Sequence, residues 1–253
     1  MKNHLRSPFA KKISALSGRY ATWEIWSDFI TMFAIAISNS VDQEHWEERE
    51  NTYETIRRRY TDEEMSIITD LITDVITALG VNPDQDYLGE AYMELELNNH
   101  WTGQFFTPYN ICRLMAEMTL QDAVRKIERE GGISINDPAC GAGATLIAGA
   151  NTIARSVAEH RPDLDWRDHV MICGQDIDYV VGLMAYIQLS VIGYAGFIKI
   201  GNSLTSPICE SEENYDNYWF MPMHSREVQS AIMNNTKEAE CDGEEYKNAQ
   251  AVS

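Results

Sequence analysis

NDPACGAGATLI, residues 136–147, reads as the end of a buried strand that breaks into a glycine turn and opens a helix. Just upstream, ISIND at 133–137 is a short apolar run finishing in polar residues, the pattern of a strand leaving the core. Gly141 and Gly143 let the backbone turn sharply and come close to a ligand. Downstream, ATLIAGANTIARSVAEH at 144–160 reads as a helix whose first amides, and the positive end of whose dipole, point back at the loop. Strand, tight turn and helix N-terminus in that order make an anion and nucleoside site.

Further along, strand and helix alternate. HVMICGQD at 169–176 predicts a second strand, YVVGLMAYIQLSVIGY at 179–194 a helix, and FIKIGNS at 197–203 a third strand. Such alternation predicts parallel strands with right-handed crossovers and a ligand at their C-terminal ends, near the switch point. The period from 20 to about 100 is helical instead. TWEIWSDFITMFAIAIS is one apolar helix, and Trp46, Arg49, Tyr53, Ile56 and Tyr60 mark a more polar second. Thr61 or Asp62 can cap a third, with its stripe of Ile67, Ile68, Leu71, Val75, Ile76 and Leu79, and DYLGEAYMELEL at 86–97 supplies a fourth.

The net charge of −19 works against unaided grip on a polyphosphate backbone, which depends on Lys and Arg displacing counterions. Positive charge gathers only at Lys2, Arg6, Lys11, Lys12 and Arg19 and at Arg57, Arg58 and Arg59, read as solvated surface. The five cysteines are widely spaced with no CxxC pair, so neither a disulfide framework nor a zinc site is indicated and a reducing cytoplasm fits. FITMFAIAIS at 29–38 is too short to span a bilayer, and no secretion signal is evident, so a soluble protein without membrane association is expected.

Four segments now fall in order: GQFFTP at 103–108, DPACGAG at 137–143, GQDID at 174–178 and GNSL at 201–204. In order and spacing they resemble the adenine-N6 DNA methyltransferases of the type I restriction-modification kind, over roughly residues 20–224. The resemblance implies an α/β, Rossmann-like S-adenosylmethionine-dependent methyltransferase sheet preceded by a helical N-terminal domain. The divisions expected are a helical domain at 1–100, the cofactor-binding domain at 101–224 and a polar acidic tail at 225–253. It also implies DNA as substrate, reached through a partner specificity or target-recognition subunit.

For the cofactor, amides around Ala139, Cys140, Gly141 and Gly143 would receive the methionine carboxylate. Asp137 would hold its ammonium, directly or through water, and Thr107 would close over the same moiety. Either Asp176 or Asp178 would accept the ribose hydroxyls, one residue of register deciding between them. Asn202 would accept from the adenine amine, where the family commonly has Asp.

The family's fourth strand ends in an Asn-Pro-Pro-aromatic tetrad that holds the target amine and stacks on the flipped base. Aligning Tyr215-Asp216 with the opening of that strand puts Met221-Pro222-Met223-His224 at the tetrad. A thioether cannot replace an amide oxygen there, so methyl transfer by the usual route should be lost. The family fold needs further strands, so one sheet edge should be open and covered by a partner chain or a second copy. Two functions fit: an adenine methyltransferase completed by another polypeptide, or a non-catalytic cofactor-binding subunit that regulates or scaffolds DNA modification. A pure interaction module with a vestigial pocket is a third. A nicotinamide-dependent oxidoreductase is disfavoured because Leu146 stands where the third glycine of GxGxxG would fall.

Overall fold

The computed structural model describes residues 7–97, 106–209 and 215–224. The acidic tail at 225–253 and Gly103–Phe105 of the GQFFTP segment lie outside them, as does Cys241.

Strands Ile133–Asp137 (β1), Val170–Asp176 (β2) and Gly196–Ile200 (β3) form where hydrophobic patterning puts them, except that β3 stops three residues short of Ser203. They run parallel and in sequence order, Ile133 opposite Val170, Asp137 opposite Gly174 and Asp176 opposite Ile200. Helices Ala144–His160 (α8) and Tyr179–Ile192 (α9) make the two crossovers, giving the βαβαβ half of a Rossmann-like sheet. All three strands therefore end at one rim, where the glycine loop leaves β1. α9 is apolar almost all round and is buried continuously from Val181 to Ser190, as such a helix must be.

Its cover comes from the N-terminal helices Pro8–Leu16 (α1), Thr22–Ser38 (α2), Trp46–Arg57 (α3), Asp62–Val81 (α4) and Tyr87–Glu94 (α5). Thr61 caps α4 by accepting the Glu64 N–H while the Glu64 carboxylate accepts the Thr61 N–H. Of the α4 stripe, Ile68, Leu71, Val75 and Leu79 are buried and Ile76 is exposed. α2 lies against α9, and one hydrophobic core runs from Phe9 in α1 through Trp26 and Leu71 to Ile172 and Trp219. Helices Tyr109–Thr119 (α6) and Ala123–Glu130 (α7) pack on α8. No helix among the described residues is long and apolar enough to cross a membrane.

The fourth strand departs from the parallel order of the other three. Tyr218–Phe220 (β4) pairs with β3, but antiparallel, with Phe220 opposite Phe197 and Tyr218 opposite Lys199. A parallel return needs a long crossover, usually helical, whereas no helix forms among the described residues between β3 and β4. Side-chain alternation and one buried cation then hold β4 in place. Tyr218 and Phe220 join Met171, Cys173 and Phe197 on one face, while Trp219 and Met221 enter the main core. Arg49 of α3 donates to the Tyr218 carbonyl at 2.9 Å, lies 4.0 Å over the Trp219 ring and pairs with Asp42 at 2.7 Å.

Candidate functional site

Where β1 ends, the Asp137 carboxylate organises the turn that follows it. One oxygen accepts the Ala139 N–H at 3.0 Å and the other accepts the Thr145 hydroxyl, which ties the loop to the first turn of α8. Gly141 and Gly143 sit at φ 56° and 95°, left-handed backbone that favours glycine. A Cβ at Gly143 would also lie 3.2 Å from that of Ala185, so α9 packs directly on the loop. The first amides of α8, which have no intrahelical acceptor, are left at the rim beside a cavity of about 230 Å³.

Thr107, Asp137, Ala139, Cys140, Gly141 and Asp176 all line that cavity, so three separate sequence segments converge there. The structure divides the two carboxylates that register left open. Asp176 lines the cavity, its oxygens accepting the Gly141 and Asp178 N–H groups at 2.9 Å each. Asp178 caps α9 instead, accepting the Val181 N–H at 3.1 Å. Burial raises the Asp176 carboxyl above its ordinary range, with the negative charges of Asp178 and Asp137 adding to the effect and the two amide bonds opposing it.

Gly143 lies behind the loop and Asn202 beyond β3, and neither lines the cavity. The Asn202 side chain accepts the Leu204 N–H at 2.9 Å in a local turn. Met221-Pro222-Met223-His224 does not reach the site either. Because β4 is antiparallel, the Met221 N–H donates to Gly196 at the start of β3, at the opposite end of the sheet from the glycine loop. The Met221 side chain is buried in the core, and the His224 ring packs 5.0 Å from that of Phe220. Direction of pairing, which residue identity does not encode, overturns that placement.

Sequence reasoning missed Asp86 and Gln188, both buried at the site. Asp86, at the N-cap of α5, lines the cavity although it belongs to the helical region. Gln188 donates to the Asp86 carboxylate and to the Ala142 carbonyl, both at 2.8 Å, and accepts the Leu88 N–H at 3.0 Å. This single side chain joins α5, α9 and the glycine loop. A signal existed, since a glutamine inside the apolar run of α9 has to find partners once buried.

Three carboxylates, Asp86, Asp137 and Asp176, and no basic residue line the cavity, with backbone amides at one wall. That donor set suits a ligand carrying both positive charge and a carboxylate. Cys112 and Cys140 are also in the lining, but burial pushes the Cys112 thiol up to about 11 and raises that of Cys140 well above its ordinary value. Both are thiols rather than thiolate nucleophiles at neutral pH. No cluster of His, Cys, Asp and Glu among the described residues could hold a metal ion.

No curated protein matches the sequence. Among solved structures, a protein of Listeria monocytogenes assigned to the class I S-adenosylmethionine-dependent methyltransferases aligns with 17% identity and a TM-score of 0.44. The alignment covers 79% of this chain and 53% of that one, so this chain spans about half of that protein's length. The family described as N-6 DNA methylase matches residues 83–250, from just ahead of Asp86 through the whole sheet. Over more than half of its length, then, this chain belongs to the N-6 DNA methylase family.

Proposed function

We propose that the cavity binds S-adenosylmethionine and that the chain serves adenine-N6 methylation of DNA within a restriction-modification system of the cytoplasm. One observation carries the reading: the carboxylate ending β2, Asp176, is hydrogen-bonded to an amide of the glycine loop and faces the same cavity. Two amides already fix Asp176, yet a carboxylate has about four acceptor positions, so both ribose hydroxyls can still be received. Amides of the loop and of the first turn of α8 would take the methionine carboxylate. Thr107, with Phe106 beside it in the lining, would close over the methionine moiety. When bound, the cofactor would supply an electrophilic methyl on its sulfonium for transfer to the adenine N6.

Calorimetry with S-adenosylmethionine tests this reading. Saturable binding that is lost in Asp176→Ala is expected, and no binding by the wild type would end it.

A second function is favoured by the placement of residues 221–224 at the far end of the sheet. The group that accepts the target amine's hydrogens would then come from a partner chain, with this chain acting as a cofactor-binding subunit. DNA contact through a basic target-recognition partner suits the net charge of −19. Labelled methyl transfer to DNA separates the two: turnover by the isolated chain supports a complete enzyme, and cofactor binding without turnover supports the subunit.

A further inference from the structure

Resting on the reading that this cavity takes S-adenosylmethionine, we propose that Asp86 of the helical region, rather than Asp137, receives the cofactor's α-ammonium. Gln188 is then the positioning residue that aims the Asp86 carboxylate.

Asp137 is the weaker choice because each of its oxygens already accepts one donor and keeps only part of its capacity for a ligand, whereas Asp86 has an oxygen that accepts none among the described residues. Both oxygens hold the protein's own turn, one through the Ala139 N–H and the other through the Thr145 hydroxyl. Asp86 is used on one side only. Its Oδ1 accepts from the Gly89 N–H at 3.0 Å and from the Gln188 amide at 2.8 Å. No donor among the described residues meets Oδ2, and no Lys or Arg pairs with this carboxylate, although the residue is only 3% exposed. A buried carboxylate left so is unfavourable unless a donor or cation joins it. The cavity that Asp86 lines is where such a partner can enter.

Geometry keeps this oxygen in place. It lies over Gly89, where a Cβ would come within 2.0 Å of it, so the missing side chain makes the space. Asp86 also lies close enough to the rest of the site that it and Asp137 both act on the Cys112 thiol. Amides at the α8 end and a carboxylate donated by α5 form the two poles that an α-amino acid head group requires. Burial raises the Asp86 carboxyl above its ordinary range, which an incoming ammonium would reverse.

The test is calorimetry on the full chain with two ligands, S-adenosylmethionine and the analogue that lacks only the α-amino group. Wild type should prefer the amino ligand by about 10- to 100-fold, the size of a hydrogen bond between charged groups. Asp86→Asn should bind both ligands alike, having lost that factor for S-adenosylmethionine alone. Gly89→Ala, which displaces the carboxylate without removing it, should behave in the same way, and thermal melting checks the folding of each variant. Equal binding of the two ligands by wild type overturns the proposal without any variant. So does a variant that keeps the wild-type preference, or that weakens both ligands equally. Failure of the wild type to bind S-adenosylmethionine at all would instead overturn the assignment of the cavity.

Discussion

Along β3 the sheet ends in a strand of its own chain, pinned by a buried arginine, whereas along β1 no strand among the described residues takes up the outer backbone groups. Ser134 and Asn136 of β1 are exposed. The neighbouring α6, which packs on α8, exposes Ile111, Leu114, Met115 and Met118 at helical spacing. Just past α6, Leu120 and Ile135 of β1 both approach Gly149 of α8, each within 4 Å of where a Cβ on that glycine would stand. The contrast separates two uses of a sheet edge. One is closed by aromatic packing and a satisfied cation and is structural; the other presents the surface a completing polypeptide would need.

Arg49→Ala should break the closed edge most severely. It strands the Tyr218 carbonyl, at about 1–3 kcal/mol, removes the desolvated cation over Trp219, at about 2 kcal/mol, and takes away one partner of Asp42, which keeps His45 at 2.8 Å. Denaturant unfolding should show the loss, and a change below about 1 kcal/mol would mean that β4 holds without the arginine. Next in size is Gln188→Leu, which strands the Ala142 carbonyl and the Leu88 N–H, at about 1–3 kcal/mol per group. Its loss of stability should come with weaker cofactor binding, since the same amide holds both the loop and Asp86.

A smaller effect is expected from pH at Asp176. Its carboxyl is raised in the fold, so its share of the ligand-free protein's stability is present below the unfolded value and is lost as pH rises through the folded one. Ribose hydroxyls favour the ionised form, so cofactor affinity should run the other way, falling on acidification at pH values above the ordinary carboxylate range. Affinity measured across mildly acidic to neutral pH should lose part of that slope in Asp176→Asn; an unchanged slope would remove Asp176 from the ribose contact.

The least change in stability is expected at the open edge. Met118→Glu, on an exposed helical position, should alter unfolding by less than about 0.5 kcal/mol. If a partner covers β1, the same substitution should weaken that association in sedimentation or pull-down with the purified partner. A large loss of stability would mean that Met118 is already packed in the isolated chain.

Much of this was legible in the residues. HVMICGQD and FIKIGNS became β2 and β3 because buried strands need continuous apolar runs bounded by turn residues, and ISIND became β1 through its alternation of apolar and polar residues. Gly141 and Gly143 marked the left-handed loop for a local reason, since the penalty at positive φ belongs to the residue itself. Asp137 and Asp176 fall in the cavity lining because strand ends are readable from pattern, whereas Thr107 was reached only through the family resemblance. Asn202, one turn beyond β3, sat too far along for that rule.

β4 shows the limit. Aromatic residues and an acid at 215–220 mark a strand, but nothing in them states its direction, and three residues carry too little pattern to choose a partner. Arg49 made that choice from 169 positions away in sequence. Asp86 and Gln188 stand 102 positions apart, and each is unremarkable alone, one a helix cap and the other a polar residue in an apolar helix.

By itself, the sequence determined the parallel strands, the glycine turn and the membership of Asp137 and Asp176 in one site. Helix and strand periods and the φ tolerance of glycine act over a few residues and need no distant partner. Only the tertiary structure decided the direction of β4, the removal of residues 221–224 from the rim and the entry of Asp86 into the cavity. Each depends on a buried polar group finding its donor or acceptor across the fold, and burial exists only once the chain has packed.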